Sequence, residues 1–333
     1  MAPEGAIVKE LAAQLLCAAG LSKLGRRQNR RRLAILMFHG VEPEPLSPPC
    51  WHVLDAATLR RQLDYVRRVF SVLPLEEALD RLRRGTLPDH AAVITFDDGT
   101  QNLLTQAAPI LRDLGLPAAV FLATGPMGSA ETLWPDRLWL AFARTELPEA
   151  DLTVLDLGRH PLGDDAQRGA AYAAAVHRLK ELPDAERADR LETLLAALGA
   201  DVTEPGPFRL LSWDEAHELT RAAEVALYPH TSTHPILSRC SDDKVEREVS
   251  ESCAILERET GCAPVIFAYP NGRAQDFDDR AKAALRRRGV RWALSTTHGF
   301  ADGSSDPLAL PRIGIGSDLS PARFRLLVSG VSG

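Results

Sequence analysis

Residues 92–99 read Ala-Val-Ile-Thr-Phe-Asp-Asp-Gly, a short apolar and β-branched run that ends in two adjacent carboxylates and a glycine. A run of this length, bounded by turn residues, reads as a strand buried on both faces, as strands in parallel sheets are. Asp97 and Asp98 then stand at the strand's C-terminal end. Two carboxylates are costly to bury there without partners. In βα architectures that end is also where active sites assemble. Neighbouring carboxylates can divide labour, one holding a metal while the other stays free as a base. Gly99 permits the sharp turn that exposes both.

Runs of the same kind occur on either side. They are 33–38 (LAILMF), 118–122 (AAVFL), 224–228 (EVALY), 265–269 (VIFAY) and 292–295 (WALS). Helical patterns lie between them at 56–69, 75–84, 101–114, 213–222, 242–260 and 276–288. Ser212 precedes acidic first-turn residues, the mark of an N-cap, and Gly115 and Gly289 follow helix ends. Strands alternating with helices predict βα units around a parallel sheet or barrel. The stretch 125–210 breaks the rhythm. Residues 134–145 and 166–199 read as helical, punctuated by Pro135, Pro148, Pro161, Pro205 and Pro207. This predicts a helical insertion between two barrel strands.

The bulk numbers narrow the function class. The chain has 333 residues, 45% hydrophobic and 25% charged, which fits one large α/β domain with an insertion, or two domains. A net charge of -6 argues against a nucleic-acid binder. No apolar run reaches the roughly 18 residues a membrane span needs. The five cysteines are odd in number and form no CxxC pair, which predicts scattered reduced thiols in a cytosolic protein.

Residues 1–32 read as a separate segment. Ile7, Leu11, Leu15 and Ala18 recur at helical spacing, but Lys9 and Glu10 interrupt the run and no basic region precedes it. That is not the pattern of a cleaved signal. Lys23, Arg26, Arg27, Arg30, Arg31 and Arg32 follow. An apolar helical stripe beside a polybasic run suits peripheral contact with the anionic inner face of a membrane. It equally suits a helix packed on the domain with a solvated basic tail.

Three further elements bear on chemistry. Residues 229–235 read Pro-His-Thr-Ser-Thr-His-Pro. Two histidines four apart can place both imidazoles on one side of a helical turn, within reach of one ion. With one carboxylate they leave coordination positions open, the pattern of a catalytic zinc, cobalt or iron site. Residues 267–272, Phe-Ala-Tyr-Pro-Asn-Gly, form either a plain strand-terminating turn or a rigid loop over Tyr269, Pro270 and Asn271 with exposed backbone amides, one of which could donate to an oxyanion. Residues 36–41, Leu-Met-Phe-His-Gly-Val, put His39 at the same end of the barrel, as a structural or a functional residue.

In this order the elements resemble the polysaccharide deacetylase family, carbohydrate esterase family four, with its chitooligosaccharide deacetylase homology domain. Residues 95–99 match its Thr-Phe-Asp-Asp-Gly motif and residues 230–234 its His-(Ser/Thr)-x-x-His motif. The resemblance covers roughly 33–125 and 208–320, leaving the insertion outside. It implies an α/β fold, a distorted (β/α)7-type barrel over 33–325. It implies hydrolysis of N-acetyl, or sometimes O-acetyl, groups on glycans. It implies Asp97 as general base and Asp98, His230 and His234 as ligands of a divalent ion, Zn2+ first and Co2+ or another transition metal next.

The family's third motif carries an arginine that steadies the base. Here the sequence is Ala268-Tyr269-Pro270-Asn271, so that arginine is missing, and Arg312 is the candidate to replace it. The Phe-Ala-Tyr-Pro branch is linked to exopolysaccharide loci. Its relatives carry the catalytic acid at the end of the first strand, which implies His39, with His298 as the competitor. The expectation is a metal-dependent N-deacetylase acting on a glycan or glycan precursor. It has no nucleic-acid partner, no obligate protein partner, and a cytoplasmic place with peripheral membrane contact through residues 1–32. The alternatives are an O-acetyl esterase or non-sugar amidase on the same scaffold, and a non-catalytic glycan-binding relative.

Overall fold

In the computed structural model, which describes residues 4–331, the quoted run is a strand, Ala91–Phe96, buried at every position. It lies between two parallel neighbours, Ala34–Phe38 and Ala118–Leu122. Together with Val225–Pro229, Ile266–Ala268, Trp292–His298 and Leu310–Gly314 these strands form an all-parallel sheet. Numbered β1 to β7 in chain order, they stand in the spatial order β5-β6-β7-β1-β2-β3-β4, and a short strand, Ser71–Val72, also pairs with β2. Helices flank the sheet, which curls into a nearly closed barrel. Its seam lies between β4 and β5, which share no strand pairing.

Strand alternation sorts the core into two layers. Ile35, Val93, Phe121 and Leu294 belong to one apolar cluster, sealed by Leu75, Leu79 and Leu82 of the helix Leu75–Arg84. Leu36, Ile94, Phe96, Val120 and Leu122 belong to another, between the strands and helices such as Ala56–Val69. The near-continuous apolar character of these strands follows from burial on both sides.

Two elements depart from the sequence reading. The seventh strand was not anticipated: Leu310-Pro311-Arg312-Ile313-Gly314 holds a proline, a charge and a glycine, and no apolar run marks it. The helix expected over 166–199 is two, α4 (Asp165–Glu181) and α5 (Asp184–Leu198), broken at Leu182-Pro183. Pro183 cannot donate the hydrogen bond that would carry the helix on. With α3 (Trp134–Arg144) these helices bury a core of their own, including Trp134, Phe142, Leu155, Leu179 and Leu194. Trp139 and Leu140 of α3 pack with Phe208, Cys50 and Val53, which anchors the insertion beside the barrel mouth.

At the N-terminus α1 (Glu4–Ala18) and α2 (Leu21–Gln28) lie against the helix Pro321–Leu327. Ala13, Leu16, Cys17 and Leu21 meet Ala322 and Leu326 there. Val8, Leu11 and Leu15, on another face, are 64%, 54% and 70% exposed. The burial of Ile7 lies outside the described residues. Among the described residues no helix is long and apolar enough to cross a membrane.

Candidate active site

Asp97 and Asp98 leave the end of β2 on a turn that needs its glycine. Gly99 has φ +82°, and a Cβ there would stand 2.5 Å from Leu122 Cδ2. Asp98 itself takes φ 74°, in the left-handed region that side chains rarely adopt. Such strain clusters at functional positions.

Arg312 of β7 is fully buried inside the barrel. Its Nη1 and Nη2 donate to Asp97 Oδ1 and Oδ2, both at 2.7 Å, and its Nε donates to Ser295 O at 2.8 Å. This bidentate fork fixes the plane of the carboxylate. Burial alone would raise the Asp97 pKa. The Arg312 guanidinium and the nearby His230 instead hold it below the usual carboxylate range.

His230 follows β4 and spans the barrel seam. Its Nδ1–H donates to Ala268 O at the end of β5, 2.8 Å away, which turns Nε2 toward Asp98. Asp98 Oδ1 lies 3.6 Å from His230 Nε2 and 3.3 Å from His234 Nε2. All three residues are buried, and their ligand atoms lie within 4.8 Å of one another. Asp98 Oδ1 and His234 Nδ1 have no hydrogen-bond partner. A buried carboxylate oxygen facing two imidazole nitrogens, with nothing else to satisfy it, fits a divalent ion.

The histidine pair does not ride on a helical turn, as the spacing suggested. Residues 230–236 are an irregular loop with Thr231 and His234 at φ 66° and 59°. Two devices hold it. Thr231 Oγ1 accepts from the His234 amide at 3.0 Å. Glu248, buried on the helix Asp242–Thr260, accepts from the Ser232 and Thr233 amides at 2.9 and 2.8 Å. Glu248 escaped the sequence reading because it sits mid-helix, where a glutamate reads as solvated surface.

The Tyr269-Pro270-Asn271 loop is only partly available for an oxyanion. The Tyr269 amide donates to Leu294 O at 3.1 Å. The Tyr269 ring is buried away from the cavity, its hydroxyl on Leu308 O at 2.9 Å, and Pro270 has no N–H. These two are corrected. Asn271 is left, with φ 59° and a buried Nδ2 that has no acceptor.

His39 lines the same cavity, of about 590 Å³, as Asp97, Asp98, His230, His234 and Asn271. Its Nδ1 is buried and unpartnered. His298 does not line it. That residue is the exposed last position of β6.

The cavity also holds a pair that sequence reasoning missed. His52 Nε2 meets Asp136 Oδ1 at 3.0 Å, and the His52 and His39 rings lie 5.7 Å apart, edge to face. Against the effect of burial, the Cys50 sulfur and the Asp136 carboxylate hold the His52 pKa well above the usual histidine range. The partners lie 84 positions apart in the chain, with no local motif to link them.

The sequence model of the polysaccharide deacetylase family matches residues 84–160 and 169–293, more than half of the chain. The match runs through most of the helical insertion, which the motif-based resemblance had left outside. It does not include His39 or Arg312. A comparison with curated proteins finds no match. Among solved structures, Streptococcus pyogenes deacetylase PplD in complex with acetate superposes with a TM-score of 0.58 at 18% identity, over 89% of this chain and 98% of that one. IcaB from Ammonifex degensii gives 0.57 at 17%, over 90% and 97%. A de-N-acetylase from Aggregatibacter actinomycetemcomitans gives 0.54 at 14%, over 89% and 99%. At such identities the likeness is one of fold.

Proposed function

The chain belongs to the polysaccharide deacetylase family, and from that premise we propose that it hydrolyses N-acetyl groups on an amino-sugar glycan or glycan precursor. The observation that carries the reading is one cavity holding both a carboxylate oriented by arginine, Asp97, and an unsatisfied Asp98–His230–His234 cluster. Asp98, His230 and His234 would hold the metal, zinc in this proposal. When bound it supplies a Lewis acid for the acetyl carbonyl and makes water more acidic.

The remaining roles fall to the protein. Asp97, kept ionised by Arg312, takes a proton from the attacking water. Asn271, through its amide and its free Nδ2, donates to the oxyanion. His39, with a free Nδ1, protonates the departing nitrogen. The products are acetate and a free amino sugar. The link of Phe-Ala-Tyr-Pro relatives to exopolysaccharide loci makes an exopolysaccharide the first substrate to try.

The test is acetate release from N-acetylated chitooligosaccharides, poly-N-acetylglucosamine and O-acetylated glycans. Release from the N-acetylated members should stop when a chelator strips the protein and return with added zinc. Full activity in chelated protein would overturn the metal assignment. Release from the O-acetylated members alone would replace the amidase reading by an esterase. Release from none, with glycan still bound, would favour a binding protein.

A second part of the proposal concerns α1 and α2. Their exposed stripe of Val8, Leu11 and Leu15 lies close in sequence to Lys23, Arg27, Arg30 and Arg31. Those four cations have no carboxylate within 4.0 Å among the described residues, whereas Arg26 bonds Tyr65 and Arg32 approaches Asp302. Apolar side chains with free cations suit an anionic bilayer surface. The full chain should sediment with phosphatidylserine vesicles at low salt and lose that binding as salt rises. Leu11→Glu/Leu15→Glu should abolish it. Equal sedimentation of the variant and the parent would leave these helices a purely structural role.

A further inference from the structure

The outer half of the active-site cavity carries charges that hydrolysis of an acetamide does not require. Lys180 comes from the last turn of α4, Arg239 from the end of the short helix Leu237–Arg239, and Arg273 from the loop after β5. All three line the cavity that holds Asp98 and the histidines. Among the described residues none of the three has a carboxylate within 4.0 Å, although most arginines elsewhere on this surface are paired. The chain carries a net -6, so an unpaired cationic cluster in a concave site is not a consequence of general basicity.

We propose that Lys180, Arg239 and Arg273 form an anion subsite, which receives a phosphate or carboxylate carried by the glycan next to the N-acetyl group that reacts. The proposal rests on the deacetylase reading above and adds to it the charge class of the substrate.

The local anions do not already fill the role. Asp276 is the acid among the three cations, but it is buried, and its Oδ2 accepts from the Arg273 amide at 3.0 Å, which ties down its own loop. Burial pushes the Asp276 carboxyl up, toward its neutral form. Glu181 is engaged by Arg178 at 3.1 Å. Lys180 is half-buried, and burial together with Arg273 pushes its ammonium below the usual lysine range. A desolvated ammonium without a partner is unfavourable, and a ligand anion would relieve it. Beside these charges, Tyr172 and Val176 of α4 line the wall of the same cavity, an apolar surface for a sugar ring. The insertion thus contributes to the substrate site.

The experiment is calorimetric titration of the full chain at low salt, without added metal and again with zinc. The probes are N-acetylglucosamine 1-phosphate, a glucuronic acid–N-acetylglucosamine disaccharide, and neutral N,N′-diacetylchitobiose. At least one anionic probe should bind about tenfold tighter than the neutral one, the size of one well-placed charge contact. Whichever of the two does so identifies the source of the charge. The preference should be present without metal, which separates it from phosphate binding to an ion. Lys180→Gln/Arg273→Gln should bring the ratio to near one. Arg239→Glu, at an exposed position that tolerates substitution, should turn the preference toward the neutral sugar. Equal binding of all three probes, or a preference that survives both variants, would overturn the proposal. Acetate release is not part of this readout. A charge preference without turnover would remove the deacetylase reading and leave the subsite standing.

Discussion

Asp97→Asn should cut turnover by at least ~10²-fold while Asp98, His230 and His234 still take up metal. Asparagine keeps the shape of the side chain but cannot accept the proton. The structure adds a second consequence. Arg312 has no exposed surface, and Asp97 is the carboxylate that both its Nη atoms reach. Neutralising Asp97 leaves a buried guanidinium without its counter-charge, a defect that costs about 3–5 kcal/mol when a buried pair loses one partner outright. The retained asparagine oxygen can still accept one hydrogen bond, so the loss should fall toward the lower end. Thermal unfolding of the variant should therefore begin several degrees below the parent. Asp97→Asn/Arg312→Met separates the two effects, since it removes the stranded charge and the base together. The double variant should recover stability but not turnover. Near-normal turnover in Asp97→Asn at full metal occupancy would move the base elsewhere.

The way that pair was found shows what the sequence carried. Asp97, Asp98, His230 and His234 are legible because they follow strand runs and sit in the Thr-Phe-Asp-Asp-Gly and His-(Ser/Thr)-x-x-His motifs. Arg312 is legible only as a candidate to replace a missing residue, because Pro311 and Arg312 interrupt the apolar run that would mark β7. Its burial depends on a fork closing across the barrel from β7 to β2, which no local pattern reports. The helices 56–69, 75–84, 213–222 and 242–260 appear with the bounds their periodicity gave. In those helices an amphipathic stripe, with a start or stop signal, dictates length. Ser212 closes a capping box with Glu215. What is long-range was not legible. The His52–Asp136 pair, the Glu248 clamp and the convergence of Lys180 with Arg239 and Arg273 join elements whose proximity is a property of the closed barrel. Tyr269 shows the converse case. In sequence it reads as part of a loop offering amides to an oxyanion, yet its ring stacks on Phe277 with centroids 4.0 Å apart, inside the core.

His39→Ala should lower turnover by at least ~10²-fold with little loss of metal affinity, whereas His298→Ala should stay within about twofold of the parent. A proton donor must reach the leaving nitrogen, and rigid placement favours that. His39 leaves β1 directly into the cavity with a free Nδ1. His298 is exposed at the end of β6 and faces no part of the cavity lining. Charge is the harder requirement. Burial pushes the His39 pKa down to about 4, although Asp98 and Asp97 pull it up. At pH 7 only the small protonated fraction of the ring can therefore serve as the acid. His39 as acid then fixes the sign of the pH profile. Its protonated form is depleted as pH rises, so kcat/KM should fall on the alkaline side, and His39→Gln should lose that limb along with the rate. The neighbouring His52 keeps its proton on Asp136 and presents no free nitrogen to the amine. His52→Gln should lower the rate less than His39→Gln and leave the alkaline limb in place. Retention of the limb in His39→Gln together with its loss in His52→Gln would transfer the acid to the second histidine, and an inactive His298→Ala beside an active His39→Ala would transfer it to the end of β6.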